Sequence, residues 1–295
     1  MPERTPPTAV AADADIAVVI VNYNSGEDVS NAVRSVFEAT GDARVQVVVA
    51  DNNSHDGSAE RVAREFPQAT VLRGARNLGF AAAADHGMRQ TGAPWVFLLN
   101  PDARISAGTL GGLLKVAAAR PGVGVVGVLT RNVDGSIYPS ARKVPSYTEA
   151  VMHAFASPFA PNNRWTKAYR MAGWDRRTEA SVDWVSGSSM LLCRKALDQV
   201  GLFDPGYFLY VEDLDLCTRM RAAGWDVRFS PELEVTHIGG TVTRGRRRTT
   251  LEHSRSMYRY FVKHRSPGAL AVLRPFAWVA LRARAELVSR MRGER

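Results

Sequence analysis

The sequence predicts an α/β fold, a mostly parallel sheet flanked by helices with a basic helical extension behind it. Three observations predict it. Uninterrupted apolar runs alternate with segments of helical period. The first such runs end in clusters of Asn and Asp, at Asn22–Asn24, Asp51–Asn53 and Asn100–Asp102. Charge is also split along the chain. Residues 1–243 hold 24 Lys+Arg against 26 Asp+Glu, a net of −2, whereas residues 244–295 hold 14 against 3, a net of +11.

The elements follow in order. "MPERTPPTAVAADAD" is Pro/Ala-rich without an apolar core, so residues 1–15 read as a disordered lead-in rather than a signal peptide. "IAVVIVNYN" (Ile16–Asn24) suits a buried parallel strand with a functional loop at its end. "SGEDVSNAVRSVFEAT" is helical, with Val29, Val33, Val36 and Phe37 on one face and Ser25 as its expected cap. "VQVVVADNNSHDGS" is strand and loop, "AERVAREF" helix, "ATVLRG" strand, "GFAAAADHGMRQTG" helix, and "PWVFLLNPDARIS" strand and loop. Short alternation of this kind implies right-handed βαβ units, whose ligands bind at the carboxyl ends of the strands. The three polar clusters are therefore expected in one crevice, although Asn and Asp also serve ordinary turn chemistry.

From Gly122 to Val185 the pattern weakens, and Pro139–Arg177 reads as an irregular, mobile substrate loop. Order returns with a strand near Ser188–Cys193, a helix from Lys195 to Gly201, a helix from Glu212 closed by Gly224, and a strand leading to His237. In "LEHSRSMYRYFVKHR", Met257, Tyr258, Phe261 and Val262 share one helical face, with Arg255, Arg259 and Lys263 on the other. "GALAVLRPFAWVALRARAELVSRMR" is too short and too charged to span a bilayer; it suits a membrane interface or packing on the body.

Composition narrows the function. At 45% hydrophobic and 23% charged, the chain is an ordinary globular protein with room for a large core. Cys193 and Cys217 form neither a metal spacing nor a disulfide framework and read as reduced thiols. No G-x-G-x-x-G follows a strand and no Walker A motif occurs, which disfavours dinucleotide redox chemistry and P-loop hydrolysis. The loop "VNYNSGEDV" lacks the Lys or Arg that a nucleotidyltransferase would use to grip pyrophosphate. "RGRRR" admits nucleic acid as a partner but leaves the strand-end clusters unexplained, so a lipid surface is preferred.

The strand-end carboxamides and Asp51 can read a pyrimidine edge and ribose hydroxyls. Asp102 of "NPD" can ligate Mg²⁺ or Mn²⁺ bridging two phosphates. His237 is either an added imidazole ligand or structural. In "FLYVEDLDLCTR", Asp215 and Arg219 stand at helical ion-pair spacing. Glu212 and Asp213 are either chemical or simply partners of the helix dipole.

"VVIVNYN", "VVVADNNSHDGS", "NLGFAAAADHG", "FLLNPDARI", "WVSGSSMLLCRKAL", "GLFDPGYFLYVEDLDLCTRMRAAGW" and "VTHIGG" appear in the order seen in family-two glycosyltransferases of the GT-A fold, which the chain resembles over residues 16–265. The nearest subset is bacterial rhamnosyltransferases of polyprenyl-linked or cell-envelope glycans. The resemblance implies an inverting transferase using a nucleotide-diphospho-sugar, here dTDP-L-rhamnose, with mannosyl, galactosyl or glucosyl transfer as the alternative. It implies that Val21, Asn22, Tyr23, Asn24 and Asp51 hold the nucleotide base, with Asn53 nearby. Asn77 and Gly79 would line the nucleotide-sugar pocket. Asn100 and Asp102 would stand at the Asp-x-Asp site, with Asn replacing the first acid. Asp102 and His237 would be the metal ligands, Trp184, Gly187 and Glu212 acceptor contacts, and Asp213 the catalytic base. Asp85 stands where the family often has Asn and receives no role. The implied organisation is a catalytic domain at 16–243, with a nucleotide-sugar half to 121 and an acceptor half from 122. Residues 244–295 form the tail, resting on the anionic inner face of the cell membrane. A glycan or polyprenyl-linked acceptor is the implied partner; nucleic acid is not, and the oligomeric state, a homodimer included, stays open.

Overall fold

Valine and isoleucine, stiff at χ1 and suited to pleated surfaces, build the centre of the molecule. The computed structural model describes residues 13–157, 159–160, 162–238 and 247–291. Most of the lead-in, the last two residues of "THIGG" and the start of the basic tail lie outside them. The first half runs β1 (Ile16–Asn22), α1 (Asp28–Glu38), β2 (Val45–Asp51), α2 (Ser58–Glu65), β3 (Thr70–Arg73), α3 (Phe80–Arg89) and β4 (Trp95–Leu99). Then come β5 (Ala103–Ile105), α4 (Thr109–Ala118), β6 (Val123–Arg131), β7 (Ile137–Tyr138), β8 (Ala141–Arg142), α5 (Tyr147–Ala156) and α6 (Arg164–Tyr169). The remainder is β9 (Ala180–Ser181), β10 (Trp184–Val185), β11 (Ser189–Cys193), α7 (Arg194–Val200), α8 (Glu212–Ala222), β12 (Asp226–His237), α9 (Arg247–Tyr260) and α10 (Arg274–Met291). A π-helical turn (Phe261–Arg265) and a 3₁₀ stretch (Gly268–Leu273) join the last two helices.

The main path of the large sheet is β3-β2-β1-β4-β11-β6-β12-β5. Pairings β1–β2, β2–β3, β1–β4 and β6–β12 are parallel. β11 runs antiparallel to both β4 and β6, Ser189 opposite Leu99. The start of β11 therefore lies at the edge where β1, β2, β4, β6 and β12 end, and that reversal makes one shared site. Two apolar clusters cover the two faces of the sheet. Cys193 and Cys217 are free, buried thiols within one of them.

Three expectations are corrected. Ser25 does not cap α1; Glu27 holds the N-cap position without a side-chain bond, and the Ser25 carbonyl accepts from Asp28 N–H. The loop instead turns at Gly26, whose N–H donates to Asp56 Oδ2 at 2.8 Å. The pattern does not weaken at Gly122: β6 is a nine-residue strand, buried through Thr130, in the middle of the sheet. The stretch read as an irregular loop contains α5 and α6, the former opened by a full capping box of Ser146 and Glu149.

Candidate active site

The first strand ends are tied to one another before they meet any ligand. Asn22 is fully buried and donates from Nδ2 to Asp51 Oδ1 and Ser58 Oγ, both at 2.8 Å. Asn24, in the left-handed region at φ 49°, accepts from His55 N–H through Oδ1. Asn53 contacts His55. Asn22, Asn24, Asp51 and Asn53 thus fix the loops, while Val21, Tyr23, Asn77, Gly79, Asn100 and Asp102 line a cavity of about 620 Å³. Asn52, which the sequence did not single out, is the connector. Its Nδ2 donates to Asn77 Oδ1 (2.9 Å) and its Oδ1 accepts from Leu78 N–H (2.9 Å).

Asp102 follows β4, and His237 closes β12. Asp102 Oδ1 lies 3.1 Å from His237 Nε2, and Asn100 Nδ2 lies 3.2 Å from the same nitrogen. A carboxylate and an imidazole converging on one wall of the cavity form a donor set suited to a hard or borderline divalent cation. Among the described residues no cluster of three or more His, Cys, Asp or Glu occurs. The remaining ligands would come from substrate phosphate and water.

Asp213 is delivered by an unusual approach. Tyr210 and Val211 both take left-handed backbone, at φ 68° and 72°. For a β-branched residue that costs on the order of 1–3 kcal/mol. The turn swings the start of α8 against the strand end, where Asp213 Oδ2 accepts from Gly187 N–H at 2.9 Å and Oδ1 from Leu214 N–H at 2.8 Å. A Cβ on Gly187 would lie 3.4 Å from that of Asp213, so the fit is close. Burial raises the Asp213 carboxyl; the two N–H donors and the charge of Arg142 work against that rise. Glu212 is buried, its Oε2 without a hydrogen-bond partner. Burial, with Asp213 beside it, pushes its carboxyl well above the usual range. Most of the stabilising contacts in the pair favour the anion on Asp213, so the proton is held on Glu212.

Asp215 points away from the cavity. Fully buried, it meets Arg219 Nε (2.8 Å), Lys263 Nζ (2.8 Å) and His264 Nε2 (2.6 Å). Burial favours its neutral form, but these partners hold it well below the ordinary carboxylate range. The expected pair with Arg219 is present, within a larger network that reaches the C-terminal segment. Lys263 and Arg259 also bond Asp204, at 2.9 and 2.7 Å. Arg259 and Lys263 thus tie this segment to the body, whereas Arg255 pairs with Glu252 of its own helix, and Arg248, Glu252, His253 and Met257 enter the cavity wall.

Trp184 and Gly187 line the other side of the cavity with Tyr138, Arg142, Tyr169 and Ser186. Asp85, assigned no role, accepts from Phe203 N–H at 3.0 Å. Burial raises its carboxyl to about 6.

The model of the family described as "Glycosyltransferase like family 2" matches residues 13–259. The chain belongs to this family. The glycosyltransferase is 38% identical over 233 residues, 75% of each chain, to the N-acetylglucosaminyl-diphospho-decaprenol L-rhamnosyltransferase of Mycobacterium tuberculosis. A shorter match, 34% over 89 residues, covers 30% of this chain and 34% of rhamnosyltransferase WbbL of Escherichia coli K12. Its fold is shared with mannosyltransferase PcManGT of Pyrobaculum calidifontis in complex with GDP-Man and Mn²⁺, at TM-score 0.58 and 18% identity over 94% of this chain and 75% of that one. It is shared also with GalNAc-T7 with UDP, GalNAc and Mn²⁺, at TM-score 0.60 and 16% identity over 90% of this chain and 54% of that one. The glycosyltransferase has the GT-A fold, as the resemblance of its ordered motifs implied.

Proposed function

We propose that this glycosyltransferase moves L-rhamnose from dTDP-L-rhamnose, with inversion, to a hydroxyl of a lipid-linked or cell-envelope glycan at the inner face of the cell membrane. One observation carries the chemistry: the bonded carboxylate of Asp213 opens on the same cavity as the Asp102–His237 pair. The relatives' names support the sugar and the lipid-linked acceptor.

Asp213 accepts the proton of the acceptor hydroxyl as that oxygen bonds the anomeric carbon. The bond from that carbon to the diphosphate breaks on the opposite face, and the nucleoside diphosphate leaves with the electron pair. A divalent cation held by Asp102 and His237, Mn²⁺ or Mg²⁺, would supply neutralisation of charge on that diphosphate. Loops tied by Asn22, Asn52 and Asp51 hold the nucleotide end, and Trp184, Gly187 and Glu212 border the acceptor. Because the diphosphate leaves unprotonated, no second acid is required, and a neutral Glu212 beside the base does not impede the step.

No helix among the described residues is long and apolar enough to cross a membrane. Contact with an anionic leaflet is instead supported by Val272, Phe276 and Val279, each 65–71% exposed near Arg274 and Arg282.

The test is transfer to a short-chain polyprenyl-diphospho-N-acetylglucosamine from dTDP-rhamnose, and from UDP- and GDP-sugars, with Mn²⁺ or with chelator. Expected are rhamnosyl transfer, an inverted anomeric configuration and loss of activity on chelation. Transfer from GDP-mannose alone would overturn the rhamnose assignment; retained configuration would overturn the mechanism.

A further inference from the structure

Arg142 is the second cation of the cavity wall and differs from the other, Arg248, which is exposed and stacked on Phe208 at 5.4 Å. Arg142 is half-buried and hemmed in by three rings. Its guanidinium carbon lies 5.0 Å from the ring centroid of Trp184, 5.5 Å from that of Tyr169 and 5.7 Å from that of Tyr138. Nε donates to the Pro139 carbonyl (2.8 Å), Nη1 to Tyr169 OH (3.2 Å) and Nη2 to Tyr138 OH (3.1 Å). Three of the five N–H groups are thus used, all on uncharged oxygens.

Many arginines of the body, among them Arg34, Arg44, Arg120, Arg219 and Arg228, pair with carboxylates. Among the described residues no carboxylate lies within 4.0 Å of Arg142, and Asp213 acts on it only at longer range. A confined, unpaired guanidinium with spare donors, opening on a cavity, calls for an anion, and the planar fork matches phosphate.

Its position selects which anion. β8 and β10 pair so that Arg142 lies opposite Trp184, three residues before the Gly187 that bonds the base. Tyr138 packs against both Arg142 and His237, its ring centroid 6.3 Å from that of His237. The cation is therefore one aromatic ring removed from the pair suited to the donor's phosphates, and on the strand paired with the one that leads into the base contact. One pyranose ring separates an attacking hydroxyl from the anomeric oxygen of its own sugar. We propose that Arg142, set by Tyr138, Tyr169 and Trp184, binds the diphosphate that joins the acceptor sugar to its lipid carrier, and so makes the enzyme select phosphate-linked acceptors over neutral glycosides. The proposal rests on the lipid-linked reading above.

The test compares two acceptors carrying the same sugar and alkyl length, one joined through diphosphate and one as an uncharged glycoside. The ratio of their kcat/KM values, charged over uncharged, is measured in the wild type and in R142Q, R142M and R142K. In R142Q and R142M the ratio falls by about 10- to 100-fold, the range for a lost charge-assisted contact, through the KM of the charged acceptor. R142K restores only part of it, because a point charge lacks the fork. Nucleotide-induced thermal shift reports that each variant is folded. An unchanged ratio, or a rise in donor KM in its place, overturns the proposal. Failure of the wild type to use any diphospho-linked acceptor overturns both it and the reading it rests on.

Discussion

Two adjacent carboxyls, Glu212 and Asp213, share one wall yet differ in every contact. Asp213 accepts two backbone N–H bonds, and Glu212 leaves one oxygen unbonded. Replacing Asp213 by Asn keeps the shape and removes the proposed proton acceptor. Transfer should fall about 10²- to 10⁴-fold, while nucleotide-sugar binding by thermal shift persists. Full activity in that variant would remove Asp213 from the mechanism. Glu212 carries the opposite signature in stability. A carboxyl raised by burial favours the fold while protonated, below its ordinary value, and that contribution is lost as pH climbs through the folded value. At neutral pH the site is therefore a cost. Glu212→Gln should raise Tm by roughly 2–4 °C at pH 7 and by much less at pH 4; equal shifts at both would contradict the assignment.

At the level of elements, the loop from Tyr207 to Val211 is held by neighbours rather than by its own preferences. Ser256 Oγ donates to the Leu209 carbonyl at 2.9 Å, His253 packs on Tyr210 at 5.5 Å, and Arg259 lies over Tyr207 at 5.4 Å. Asp215 anchors the other end of this clamp. Asp215→Asn leaves Arg219, Lys263 and His264 around a neutral group. The expected loss is about 3–5 kcal/mol, read as a fall in denaturation midpoint. The anion's contribution is present above the ordinary carboxylate range and fades as pH falls through its lowered folded value, so wild type and variant should converge in acid. None of this was legible in "FLYVEDLDLCTR", where only the pair at spacing four could be read. The start of α8 was legible from its acids, but its partners lie some 50 residues on. The same limit explains Arg142: "PSARKV" carries no period, and its meaning comes from Tyr169 and Trp184, which only folding brings near. β6 was missed for another reason. Gly124 and Gly127 interrupt its apolar run, because side chains there would strike Trp225 and Val185. The capping box "SYTE" was in plain view and was masked by the prolines around it.

For the molecule as a whole, the parallel core was the most legible feature, since buried strands announce themselves as β-branched runs. Of the tail, the charge and the helical pattern could be read from the sequence, but not which part docks on the body. Its first helix docks on the body, and the joint and second helix leave Val272, Phe276 and Val279 outward beside arginines. The full chain should therefore bind vesicles containing anionic lipid, more weakly with rising salt and little on neutral vesicles. Phe276→Asp with Val279→Asp should reduce that binding by at least tenfold, as sedimentation would show. Equal binding of the double variant would assign the surface elsewhere. Among the contacts between residues 16–121 and the rest of the chain, Phe80 N–H donates to the Phe208 carbonyl at 2.8 Å, and a Cβ on Gly79 would lie 2.2 Å from that oxygen. The proposed donor pocket and the proposed base are thus held to one tolerance. A chimera that exchanged residues 16–121 to change the sugar would carry its new side chains into the strained turn ahead of Asp213. The interchangeable unit is the first half together with the Tyr207–Val211 turn, two pieces far apart in the gene and inseparable in the enzyme.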